Sequence, residues 1–76
     1  MEIKLERFSV RLKQLRREKN LTQKAMAEML GKTERHYQDI EAGRINVPAL
    51  TLIWLADFFE VSLDYLAGRT DVRSMS

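Results

Sequence analysis

The chain has 76 residues, with 13 Lys and Arg against 11 Asp and Glu, one His and no Cys. A chain this short makes one small domain. The lack of cysteine excludes disulfides, iron–sulfur clusters and thiolate zinc sites, and a single histidine excludes a two-histidine metal site. No apolar run approaches the roughly 20 residues of a membrane helix. Met1 leads straight into the charged stretch Glu2-Ile3-Lys4-Leu5-Glu6-Arg7, so no signal peptide and a cytoplasmic location are expected.

Strand-like alternation is nowhere sustained, and one proline and three glycines fall at helix ends, so the fold class read from the sequence is all-α with five short helices. The first helix runs from about Leu5 to Lys19. Leu5, Phe8, Leu12 and Leu15 step by three and four along one face, Arg7, Arg11, Lys13 and Arg17 occupy the other, and Asn20 is the stop. Thr22 caps the second helix, Leu21 and Met26 sit at hydrophobic-staple positions, and Leu30 is followed by the terminating Gly31. Thr33 caps the third helix, which ends at Ala42 before Gly43. Its inward pair is Tyr37 and Ile40; every other residue from Glu34 to Asp39 is polar, so most of its surface is meant for solvent or a partner.

Pro48 opens the fourth helix at a first-turn position, with no good cap beside it. Leu50, Trp54, Phe58 and Val61 share one face by helical spacing, and Leu52, Leu55, Ala56 and Phe59 share another. A domain this small buries only one of them against itself. Ser62 caps a last short helix holding Leu63 and Leu66, and Gly68 ends it. Residues 1–68 are thus expected to form the domain, and residues 69–76, which lack apolar periodicity, a flexible C-terminal tail.

Residues 1–38 carry 10 Lys and Arg against 5 Asp and Glu, whereas residues 39–76 carry 3 against 6. A basic half on a near-neutral protein points to nucleic acid or an acidic surface, or else to a solvated helix face. Two short helices joined by a tight glycine-bearing break form a helix-turn-helix over residues 22–43. Ala27 leaves room at the crossing, and Met26, Leu30, Tyr37 and Ile40 fill the wedge. Gln23 stands at a helix N-terminus, where donors face anions. Glu34, Arg35, His36 and Asp39 project from the third helix as types that match base edges, Arg donating to guanine and carboxylates accepting from cytosine.

Residues 8–67 resemble the phage repressor/Cro-type helix-turn-helix family of bacterial transcription regulators, whose fold is lambda repressor-like. The resemblance rests on Leu21-Thr22-Gln23-Lys24-Ala25-Met26-Ala27-Glu28-Met29-Leu30-Gly31, on Ile40-Glu41-Ala42-Gly43, on Pro48, Leu52 and Leu55-Ala56, and on Val61-Ser62-Leu63-Asp64-Tyr65-Leu66. It implies that helix 33–42 enters the major groove of double-stranded DNA, with Glu34, Arg35, His36 and Asp39 reading bases and Gln23, Thr33, Arg44 and Asn46 meeting phosphates. It also implies an ion pair between Arg16 and Glu41, and it assigns Leu52, Leu55, Ala56 and Phe59 to the core. Lys32, where the family is usually apolar, and Tyr37, where it usually has Val or Ile, depart from the pattern.

The function expected is a transcriptional repressor acting as a homodimer on a two-fold operator, because one short helix covers too few base pairs for genomic specificity. Trp54 and Phe58 are the candidate dimer contacts. The rival is an antitoxin-like or anti-repressor protein-binding module using that same Trp54/Phe58 face. No enzyme is expected: the chain holds no P-loop, dinucleotide glycine pattern, metal-ligand cluster or nucleophile motif. No cofactor, metal, membrane or small-molecule ligand is expected either.

Overall fold

A computed structural model describes residues 5–74, and among them five helices and no strand occur: α1 (Leu5–Glu18), α2 (Gln23–Leu30), α3 (Glu34–Glu41), α4 (Ala49–Phe58) and α5 (Leu63–Leu66). The all-α architecture expected from the sequence is therefore the one observed. The side chain of Leu5 and residues 75 and 76 of the expected tail lie outside the described residues.

Three helix starts are built by hydroxyl caps: Thr22 accepts from the Ala25 amide, Thr33 from the His36 amide and Ser62 from the Tyr65 amide. Gly31 takes φ 67°, and the Lys32 amide donates to the Ala27 carbonyl at 2.9 Å, so the chain leaves α2 and enters α3 within three residues. Pro48 does not sit inside the first turn as expected. It is itself the N-cap of α4 (φ −58°, ψ 147°), its carbonyl accepting from the Leu52 amide and its ring offering no side-chain acceptor.

The core gathers Phe8, Leu12 and Leu15 from α1, Met26 and Ala27 from α2, Tyr37 and Ile40 from α3, Leu52, Leu55 and Ala56 from α4, and Leu66 from α5. α2 packs on α3, and α1 braces both α3 and α5. This leaves the first turn of α3 exposed on a packed base.

One expectation is corrected. Val61 does not share the outward Trp54 face: it is buried at 3% exposure, because the chain leaves the helix at Phe59 and Glu60 takes φ 56°, after which helical spacing no longer applies. Phe58, a candidate dimer contact, is half-buried against the core, stacked on Trp54 and edge-on to Phe59.

Residues 69–73 of the expected tail make polar contacts with α1 and with residues 62–65. Arg11 donates to the Tyr65 and Thr70 carbonyls and to Asp71 Oδ1, and Arg7 donates to the Gly68 carbonyl. The Ser62 amide donates to the Arg73 carbonyl at 2.8 Å, and Arg73 grips both carboxylate oxygens of Glu18 at 3.1 and 2.7 Å. Polar contacts replace the apolar periodicity that the segment lacks.

Candidate nucleic-acid interface

The site is assembled on α3. Tyr37, Ile40 and Glu41 are the inward residues of this helix, and the opposite side is open. Glu34, Arg35 and His36 are all exposed in its first turn, just beyond the Thr33 cap. The Thr33 hydroxyl oxygen accepts from the His36 amide, so its hydrogen stays available to donate outward. Glu34 lies at the positive end of the helix dipole, which favours its charge there.

Asp39 lies one turn further along, half-buried, and already has cationic company. Its Oδ1 accepts from Arg44 Nη1 at 2.8 Å, and its Oδ2 lies 3.9 Å from Arg35 Nε. Arg44 and Asn46 are exposed in the loop after α3, and Gln23 is half-buried at the start of α2.

Behind the helix, Arg16 Nε donates to Glu41 Oε1 at 2.8 Å, joining α1 to α3 in the pairing that the family resemblance implies. Glu41 Oε2 accepts from Gln23 Nε2 at 2.9 Å, and Gln23 Oε1 accepts from Gln38 Nε2 at 3.3 Å. Gln23 is thus tied to α3 on both ends of its amide, and any anion it meets is approached from this fixed position. Arg16 Nη1 also donates to the Leu21 carbonyl at 2.7 Å, fixing the corner between α1 and α2. One chain of polar contacts therefore sets the angle at which α3 stands on the domain.

Tyr37 fills the wedge with its ring fully buried. Burial, reinforced by the neighbouring Glu41 carboxylate, pushes its phenol well above the ordinary tyrosine value. Its hydroxyl is buried with no hydrogen-bond partner among the described residues. Lys32, the other departure from the family pattern, is exposed on the turn.

Reading by types overlooked Lys13 and Gln38. A cleft of about 350 Å³ between α1 and α3 is lined by Ser9, Lys13, Gln23, Gln38, Glu41, Ala42 and Arg44, and it puts the two cations Lys13 and Arg44 on the same wall as Gln23. Lys13 was legible only as part of a basic helix face, because nothing local shows that this face abuts α3. No group of three or more His, Cys, Asp or Glu among the described residues is placed to hold a metal ion, and no described helix is long and apolar enough to cross a membrane.

Comparison with known proteins agrees with this geometry. A helix-turn-helix family model matches residues 12–66. The uncharacterized HTH-type transcriptional regulator YqaE of Bacillus subtilis (strain 168) is 44% identical over 59 residues, covering 78% of this chain and 51% of that protein. The uncharacterized HTH-type transcriptional regulator YobD of the same organism is 39% identical over 64 residues, covering 84% of this chain and 57% of that protein. The chain spans about half the length of these curated relatives. No solved structure gives a significant match. With the matched segment running from α1 through α5 and both relatives above a third identity, the chain belongs to the repressor/Cro-type helix-turn-helix family, a family of DNA-binding transcription regulators and not of enzymes.

Proposed function

We propose that the chain is a sequence-specific repressor that lays α3 in the major groove of double-stranded DNA and acts as a homodimer on a two-fold operator in the cytoplasm. The observation that carries this reading is the two-sidedness of α3: Tyr37, Ile40 and Glu41 are buried, while Glu34, Arg35 and His36 stand fully outward beyond a capped N-terminus. A helix that presents only hydrogen-bonding groups to solvent is fitted to base edges. Around it, Gln23, Thr33, Arg44 and Asn46 are assigned to phosphates, which fix register without reading sequence; the exposure of Thr33, Arg44 and Asn46 supports this. Repression then requires only that the operator be occupied.

The two-fold arrangement supplies what one helix lacks, since two half-sites about 34 Å apart double the sequence read. The face assigned to the partner copy is that of Leu50, Ile53 and Trp54, which are exposed while Leu52, Leu55 and Ala56 on the same helix are buried.

Selection of bound duplex from a random pool, followed by titration at several salt concentrations, tests the reading. Arg35→Ala is expected to cost about 1–3 kcal/mol on the selected duplex and to relax discrimination at one base position. Equal loss on selected and random DNA would make Arg35 a phosphate contact. A wild-type log–log salt slope near zero, where each neutralised phosphate should add about −0.9, would end the DNA reading.

A further inference from the structure

We infer that Asp39 governs DNA specificity as a positioning residue, by holding Arg44 and Arg35 away from non-cognate phosphate, and does not itself read a base. The inference rests on the DNA-binding function proposed above.

The arrangement is built by the backbone. Gly43 takes φ 73°, and the Arg44 amide donates to the Asp39 carbonyl at 3.0 Å, so the chain folds back and returns the Arg44 side chain to the α3 surface. There Arg44 Nη1 meets Asp39 Oδ1 at 2.8 Å, while Arg35, one turn before Asp39, brings Nε to 3.9 Å from Oδ2. The Asp39 side chain is 26% exposed, against 84% for Arg35 and 63% for Arg44. The carboxylate therefore lies beneath the two guanidinium groups that a duplex would reach first, and both its oxygens face cations.

The charge balance follows. Glu34 and Asp39 offset Arg35 and Arg44 on the open side of α3, so these four groups sum to no net charge beside the exposed cation Lys32. On a non-cognate duplex, Arg44 reaches a phosphate only by exchanging one anion for another, and the exchange releases little free energy. On the cognate duplex, base contacts made by Arg35 hold the complex without Arg44 leaving Asp39, so the pairing weakens the non-cognate complex more. A carboxylate already accepting from arginine is, in contrast, a poor acceptor for a cytosine amine, since the amine would have to displace a charge-assisted bond.

The test is Asp39→Asn, an isosteric change that removes the charge; a thermal melt establishes that the fold persists. The variant is expected to bind random duplex about two- to five-fold more tightly, the range of a surface ion pair. Its log–log salt slope should steepen by about 0.9 as Arg44 becomes free to neutralise a phosphate. The ratio of selected to random affinity should fall. In an Arg44→Ala background, the gain on random duplex should be largely lost. Two results overturn the inference while leaving the DNA reading intact. Loss of affinity for the selected duplex with no gain on random duplex would mean that the carboxylate reads a base. An undiminished gain in both the Arg44→Ala and Arg35→Ala backgrounds would mean that Asp39 acts as a bare charge and not through the arginines. Failure of the wild-type protein to bind any duplex would overturn the DNA reading itself, and this inference with it.

Discussion

At the scale of single residues, Glu41 is a buried charge held from two sides. It is 2% exposed, yet its carboxylate is served by a guanidinium on one oxygen and the Gln23 amide on the other. A buried carboxylate needs such service, because water no longer solvates it. The amide alone cannot balance the charge. Arg16→Met is therefore expected to lower stability by about 3–5 kcal/mol in a urea melt, the cost of leaving one member of a buried pair uncompensated. A loss below about 1 kcal/mol would place the pair with exposed bridges. Arg16 and Glu41 are 25 positions apart, so no local spacing in the sequence joins them; only the family resemblance does. The Asp39–Arg44 pair was hidden for a different reason. It needs the positive φ of Gly43 and the return of the loop over α3, and reading each side chain by type alone sends both outward.

At the scale of elements, the five helices end alike. Asn20, Gly31, Gly43, Glu60 and Gly68 all take positive φ, and in each case the next residue's amide donates back to a carbonyl five positions earlier: Leu21 to Arg16, Lys32 to Ala27, Arg44 to Asp39, Val61 to Ala56 and Arg69 to Asp64. Four of these stops were visible in the sequence, because glycine and asparagine tolerate the left-handed region. Glu60 was not, and overlooking it carried helical spacing too far, which is why Val61 was placed on the outward face although it is core. The starts of α2, α3 and α5 were legible for a similar local reason, each being a hydroxyl side chain; Pro48 has no side-chain acceptor to advertise. A left-handed glutamate carries steric strain that glycine lacks, partly offset by the greater freedom of glycine in the unfolded chain. Glu60 is exposed, so little packing is at stake in replacing it. Glu60→Gly is expected to raise stability by up to about 1 kcal/mol, read as a later midpoint in urea with unchanged slope.

At the scale of the whole molecule, residues 69–73 form a C-terminal strap over α1, and α4 keeps an apolar face open. The strap was not legible because its contacts to α1 join residues about 55 to 61 positions apart and carry no periodicity. The Tyr65 ring lies within reach of two guanidinium groups, Arg11 of α1 at 4.1 Å and Arg73 of the strap at 5.5 Å from its centroid. Arg73, hydrogen-bonded to Glu18, holds that carboxyl below its usual range. With α5 tied to α1 in this way, the large apolar groups still open on α4 are Leu50 at 81%, Ile53 at 43% and Trp54 at 36% exposure. Trp54 stacks on Phe58 at 5.0 Å, and Phe58 in turn lies under Lys19 and against Phe59, so the tryptophan is held in place by the core without belonging to it. That combination of a fixed aromatic with a water-facing side suits an anchor between two copies. Trp54→Lys removes the stacking, worth about 0.5–1.5 kcal/mol, and should leave the domain folded. In the proposed homodimer it puts two cations into the shared face, so sedimentation is expected to give a monomer for the variant and a dimer for the wild-type protein. Binding to a two-half-site duplex should weaken sharply through lost avidity, while binding to a single half-site stays unchanged. Unfolding of the variant, or a dimer that persists, would move the self-contact away from α4, and the exposed Leu63 on α5 would then be the next apolar group to replace.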